Sequence, residues 1–358
     1  MKPLKVLFVY YLPSGGMDTL NRIRCKALRE IGVYGHCLYY KWGAGLQNRD
    51  DSSDVRITDS DIAIKQLIDA GGYEAIIVTT DHKSLTRFRM LGYYGKLIYE
   101  IQGYGPKEDA RQALTAASPV IQSHASALLH PRTPHIAAIF RDLFPNKLQF
   151  HFNNAFDAAA FSYRPALLTD ASPIIAWLGR LEDNKNWREF LQIGYQLSLT
   201  YPSLRLWMFH DPHLADPQER LSFEQLVGEL GISGLLTVRS NVPHTEMPDW
   251  FSMIGDSGGF LCATSKVEGA PYAVLEAMSC RCPVLTTDSD GVASSIMHNR
   301  TGKYYTLGDI AEALREAREL MENAELRERI RTEAMSFVHM EFSPRKYGQH
   351  FLHMLQTI

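Results

Sequence analysis

Ile174-Ile175-Ala176-Trp177-Leu178-Gly179-Arg180-Leu181-Glu182-Asp183-Asn184-Lys185-Asn186 decides the fold. Five apolar residues in an unbroken run, stopped by glycine, read as a strand buried on both faces. A polar turn follows, and Asn186–Leu199 then shows helical spacing. The unit repeats as strand Leu206–Phe209, helix Pro217–Leu230, strand Leu235–Val238, helix Thr245–Ile254 and strand Gly259–Leu261. Working backwards, Val6–Tyr10, Ala75–Thr80 and Leu97–Tyr99 are further apolar runs. Helical stretches separate them: one from Asp18 or Thr19 to Glu30, then Asp61–Ala70 and Ser84–Met90. Short apolar strands alternating with helices predict parallel sheets covered on both sides. Two such series make the fold class α/β, with two Rossmann-like domains and ligands at the carboxyl ends of the strands. Ala166–Pro173 reads as a linker, so the expected domains are 1–165 and 166–340, with a last helix in 341–358.

Bulk properties exclude several classes. The 358 residues are 45% hydrophobic and 22% charged, with no run that approaches a membrane span. Five cysteines, with no Cys-x-x-Cys, suit a reducing cytoplasm and no structural metal. Residues 1–165 hold 20 Lys and Arg against 15 Asp and Glu, whereas the rest hold 17 against 25. A basic first half beside an acidic second half suggests an anionic partner for the first. No nucleic acid is expected.

Three strand ends carry chemistry. In Glu268-Gly269-Ala270-Pro271-Tyr272-Ala273-Val274-Leu275-Glu276, one carboxylate closes a loop and the other lies on the helix that follows. Both are acceptor-only groups suited to polyol hydroxyls, and the free N–H groups at the helix start suit an anion. The plain alternative is two acidic residues favoured by the helix dipole. Arg180 and Lys185 flank a strand-to-helix junction, either as a pyrophosphate clamp or as a solvated turn. Gly15-Gly16, after the first strand, is a place where backbone can approach a phosphate closely, or simply a turn.

In this order, these motifs resemble the retaining GT-B fold glycosyltransferases of glycosyltransferase family 4. Asn154-Ala155-Phe156-Asp157 with Phe161 and Pro165, Ser265-Lys266-Val267-Glu268-Gly269 and Glu276-Ala277-Met278 add to the resemblance. It is dense from about Asn153 to Thr306. It implies a second domain that holds a nucleotide-sugar and a first that holds the acceptor, facing a central cleft. Arg180 and Lys185 would contact the donor diphosphate, Glu276 the ribose and Glu268 the hexose. Gly269, Ala270, Pro271 and Tyr272 would line the sugar and phosphate, Gly15 and Gly16 would approach the diphosphate, and His210 would lie near the nucleotide. The last helix would cross back to the first domain.

The chain also departs from that pattern. Gln102 stands where many relatives have histidine, which leaves Glu100 or His82 as other acceptor-side groups. Pro271 replaces a common glycine and removes one N–H. Asp288-Ser289-Asp290 matches a metal-binding triplet only on paper, so no metal or other cofactor is expected. The helix face Arg22, Lys26 and Arg29 and the run Arg87-Phe88-Arg89-Met90 either touch anionic lipid, giving peripheral membrane contact, or are solvated surface. The expectation is a cytoplasmic retaining hexosyltransferase that uses a UDP-linked donor rather than a GDP-linked one. Its acceptor would be a saccharide, a lipid-linked saccharide or a small molecule. A nucleotide-sugar epimerase or hydrolase, or a binding subunit without turnover, are the other classes.

Overall fold

A computed structural model describes residues 3–43, 45–46, 54–165, 172–210, 215 and 217–358. The chain divides into two compact units, Met1–Asp157 with Glu341–Ile358, and Ala158–Met340. Most of the stretch read as a linker, residues 166–171, lies outside the described residues.

The first unit runs β1 (Leu4–Tyr10), α1 (Gly15–Arg29), β2 (Val33–Tyr39), β3 (Asp54–Ile57), α2 (Asp61–Gly71), β4 (Ala75–Thr79) and α3 (His82–Met90). It continues with β5 (Lys96–Glu100), α4 (Lys107–His124), β6 (Ala127–His130), α5 (Pro134–Leu143) and β7 (Leu148–His151). The second unit holds β8 (Ile174–Leu178), α6 (Trp187–Ser198), β9 (Arg205–His210), α7 (Pro217–Leu230), β10 (Leu236–Ser240), α8 (Met247–Asp256) and β11 (Phe260–Ala263). After these come α9 (Tyr272–Ser279), β12 (Val284–Thr287), β13 (Lys303–Tyr305), α10 (Ile310–Glu322) and α11 (Ala324–Glu341). Helix α12 (Pro344–Thr357) then packs on α1, within the first unit.

Both sheets are parallel, in the orders β3-β2-β1-β4-β5-β6-β7 and β10-β9-β8-β11-β12-β13. Winding therefore reverses between β1 and β4 in one unit and between β8 and β11 in the other. At such a switch point the loops leave the sheet in opposite directions and open a crevice at the carboxyl edge.

Strand periodicity sorts the core. On β1, Leu7 and Val9 face α2, α3, α4 and α5, while Val6 and Phe8 face α1 and α12. The Phe8 and Phe351 rings lie 5.7 Å apart. In the second unit Trp177, Trp187 and Phe190 are almost wholly buried. Each such side chain contributes roughly 1.5–3 kcal/mol of burial free energy.

Helix α1 begins at Gly15, four residues earlier than capping by Asp18 would place it. Gly15 sits at φ +52°, so a residue without a Cβ lets the chain turn directly into the helix. Asp18 is buried instead and pairs with Arg22 at 3.1 Å.

The basic residues singled out for lipid contact are engaged locally. Arg22 pairs with Asp18, Lys26 with Asp157, and Arg87 with Asp59 and Asp61. Arg89 donates to the carbonyls of Tyr93, Gly95 and His124. Among the described residues, no helix is long and apolar enough to cross a membrane.

Candidate active site

Two loops leave the second sheet at its switch point, 179–186 after β8 and 264–271 after β11. Asn184 ties them together. Its Nδ2 donates to the Val267 carbonyl at 3.2 Å, and its Oδ1 accepts from the Val267 amide at 3.2 Å. The Lys266 amide donates to the Asn184 carbonyl at 2.8 Å. Beneath them the Thr264 hydroxyl lies 2.9 Å from the carbonyls of both Lys185 and Asn186, and it accepts the Trp177 indole N–H at 3.1 Å. Asn186 takes φ +51° to open α6. The first turn of α6 is fixed by Glu219, which accepts from the Trp187 indole at 2.8 Å and from Arg188 at 2.8 and 3.1 Å. The Arg188 hydrogen bonds, aided by the Trp187 N–H, hold the Glu219 carboxyl below the usual range.

These ties aim the Lys185 ammonium at Glu268, and Nζ donates to Oε1. The Ser265 hydroxyl donates to the same oxygen at 2.8 Å. The lysine and glutamate side chains keep 25% and 18% of their exposure, so the pair opens to solvent rather than being sealed in the core. Lys185 has three donors, and Glu268 uses one of them. Arg180 is more open, 57% exposed, and is held by Glu182 at 3.0 Å.

Helix α9 begins directly after this loop. Pro271 occupies its cap position, and its carbonyl accepts from the amides of Val274 and Leu275 at 3.1 and 3.3 Å. The missing proline N–H removes nothing the helix would use, because the first amides of a helix have no partner within it. One turn on, Glu276 is nearly buried and pairs through Oε1 with His244 Nε2 at 3.0 Å. Gly269 and Ala270 lie half-buried between the two glutamates. Gly291 presses on the loop from beyond β12. Its amide donates to the Glu268 carbonyl at 2.9 Å, and a Cβ there would stand 2.3 Å from that oxygen.

Sequence reasoning missed Asn184, Thr264, His244 and Gly291, since each acts through a partner distant along the chain. His210, the histidine it chose, ends β9, and its ring lies 6.4 Å from Phe223. The only sequence sign for His244 was its place in the loop between β10 and α8. Asp288 accepts from the Leu307 amide at 3.4 Å, and the Asp290 side chain lies outside the described residues.

In the first unit, Gly15 and Gly16 form the start of α1 and His82 the start of α3, beside the switch between β1 and β4. Glu100 has a different setting from the one expected of an acceptor-side base. It is 1% exposed and chelates the wholly buried Arg24 at 2.8 and 3.0 Å. It also accepts from Thr79 at 2.6 Å and from the Gln102 amide at 2.9 Å. Gln102 in turn accepts from Asn154 at 2.7 Å. Burial is the largest single influence and lowers the Arg24 pKa, but the Glu100 charge and hydrogen bonds, with the Tyr347 and Cys25 side chains, together raise it above the ordinary value. This is a buried ion pair made through Nη1 alone, with Gln102 as its bracket, while Arg24 Nε and Nη2 are buried without a hydrogen-bond partner among the described residues.

The arrangement in the second unit has known counterparts. Residues 162–337 match the family model of glycosyl transferases group 1. The second unit carries a glycosyl transferases group 1 domain. A stretch of 161 residues is 24% identical to alpha-D-kanosaminyltransferase of Streptomyces kanamyceticus, covering 45% of this chain and 39% of that protein. The chain thus spans well under half the length of that relative. The whole fold is similar to Anabaena HepE, solved in complex with UDP and glucose, at a TM-score of 0.82 and 16% identity. That match covers 99% of this chain and 100% of HepE. Sucrose-phosphate synthase from Thermosynechococcus elongatus matches at 0.81 and 15%, over 99% and 100% of the two chains. The fold is therefore that of GT-B glycosyltransferase structures, two Rossmann-like α/β units, and the group 1 domain contains both glutamates and both loop cations.

Proposed function

We propose that the protein is a retaining, metal-independent glycosyltransferase. It moves a hexose-type sugar from a UDP-linked donor to a saccharide, a lipid-linked saccharide or a small molecule. The observation that carries this reading is the convergence of Lys185, Glu268 and the start of α9 at the β8–β11 switch point, beside Arg180. HepE, solved with UDP and with UDP-glucose, has the same fold, which favours the uridine donor.

Each group has a task in this reading. Negative charge grows on the diphosphate as the glycosidic bond breaks, so fixed donors aimed at it lower the barrier, each by about 2.7–4 kcal/mol. Arg180 and the two remaining Lys185 donors supply that charge, with the α9 amides behind them. The same fixed charge makes a divalent metal unnecessary. Glu268, oriented by Lys185 and Ser265, accepts from hexose hydroxyls. Glu276 accepts from the ribose. The departing phosphate takes the acceptor proton on the face it leaves, so no protein base is required and a buried Glu100 is no obstacle.

The test is a thermal-shift panel of UDP, GDP, ADP and their hexose conjugates, with and without magnesium. A ligand at a hundred times its Kd stabilises the folded state by about 2.7 kcal/mol. A magnesium-independent shift selective for the uridine ligands supports the reading. No shift with any of them overturns it.

A further inference from the structure

We propose that His244 is a positioning residue for donor binding, holding the Glu276 carboxylate in the orientation that takes up the ribose diol of a nucleoside diphosphate. The inference rests on the ribose role given to Glu276 above and adds what aims that carboxylate.

A carboxylate only accepts, so the 3.0 Å contact between His244 Nε2 and Glu276 Oε1 has the imidazole donating. The donation occupies one lone pair of Oε1 and fixes the plane of the carboxylate, leaving Oε2 and the remaining Oε1 lone pair for a cis-diol. Glu276 is fixed in turn by its helix, in the second turn of α9 with only 8% of its side chain exposed. His244 sits in the loop before α8, and its side chain is 41% exposed. A ring that open would otherwise sample several rotamers. The buried Phe161 prevents this, because its ring lies 4.7 Å from the imidazole at a tilt of 60°. Phe161 → His244 → Glu276 is thus a relay of contacts from the core to a group at the edge of solvent. It also gives Phe161 a task that its own burial does not explain.

Because the ribose does not change during sugar transfer, its contacts are the same in ground and transition states. Losing them raises KM and leaves kcat largely unchanged. His244→Ala should weaken UDP binding, measured by calorimetry, by about tenfold, the loss of one hydrogen bond to a charged group. KM for the UDP-hexose should rise similarly, with kcat changed less than twofold. His244→Gln, whose amide can still donate, should recover most of the affinity. The decisive comparison uses UDP and 2′-deoxy-UDP. The native protein should prefer UDP, and His244→Ala should lose much of that preference, which general loosening of the fold would not produce. Should His244→Ala fail to fold, His244→Gln and Phe161→Leu supply the same comparison at smaller amplitude.

Native affinity and native 2′-hydroxyl discrimination in His244→Ala, alongside lost binding in Glu276→Ala, would overturn this inference and leave the proposed function standing. Native UDP binding in Glu276→Ala would overturn the ribose assignment itself.

Discussion

Lys185 and Glu268, 83 positions apart in sequence, form an ion pair across the mouths of β8 and β11, the two strands between which the second sheet reverses its winding. The pair makes each residue part of the other's geometry. A lysine left alone at a loop would be a mobile charge. Here its carboxylate partner and the Thr264 hydroxyl under its backbone hold it in one place.

Removing either cation should separate catalysis from folding. Arg180→Ala is expected to reduce kcat by roughly a hundred- to a thousandfold, with an unchanged melting temperature, because the side chain is largely exposed. Lys185→Ala should lose at least as much and also raise the donor KM, since Glu268 loses its anchor. Steady-state kinetics beside a thermal melt decides this. Native turnover in Arg180→Ala would remove the clamp from the mechanism.

Gly291→Ala should damage the donor loop from behind. The new methyl would meet the Glu268 carbonyl at 2.3 Å and the Gly269 carbonyl at 2.4 Å, so the loop must move by several tenths of an ångström. Misplacement on that scale is expected to lower kcat/KM by about tenfold or more. Gly234→Ala is the control, because no atom lies within 4 Å of its added Cβ.

The Arg24–Glu100 pair predicts a stability effect and no direct catalytic one. Glu100→Gln leaves a fully buried guanidinium without its counter-charge and should cost about 3–5 kcal/mol in urea unfolding. The double variant Arg24→Met, Glu100→Met should lie much nearer to native. If Glu100→Gln is as stable as the native protein but inactive, Glu100 belongs to catalysis after all.

Acid should weaken the first unit through His130. Burial pushes this imidazole down to about 4, although its hydrogen bond to the Pro131 carbonyl opposes the shift. The unfolded chain binds the proton at the ordinary value of about 6.5, so it takes up protons first as pH falls. This residue's stabilisation is complete above pH 6.5 and declines down to pH 4, by about 2 kcal/mol at pH 5. Urea midpoints at pH 7 and pH 5 measure the slope, and His130→Phe should flatten it.

Much of this architecture is legible in the chain, for identifiable reasons. The strand starting at Ile174 and the helix starting at Tyr272 are continuous apolar or periodic runs, and they form as read. Strand β2 was not visible, because Tyr34, Gly35 and His36 interrupt its apolar pattern. Pairing with β1 along its whole length makes it a strand. Strand β3 has only half-buried and exposed positions, so pairing with β2 defines it where hydrophobicity does not. The same distinction runs through the candidate site. Arg180, Lys185, Glu268 and Glu276 announce themselves by spacing, whereas Asn184 and His244 acquire a role only when a remote strand end is folded against them. Glu100 shows the converse, since nothing near it in sequence reveals that Arg24, 76 positions away, pairs with both of its carboxylate oxygens.

One end of the first unit is supplied late. Helix α12 gives that unit Tyr347, Phe351, Met354 and Leu355, which pack against Phe8, Cys25 and Leu28. A ribosome must therefore make all of Ala158–Met340 before the apolar flank of β1 and α1 receives its cover. The group 1 domain can fold as it emerges, while the unit begun first waits with an open side. Nascent chains halted before Pro344 should be the ones that engage chaperones, and a protease should find the first unit long after the second has become resistant.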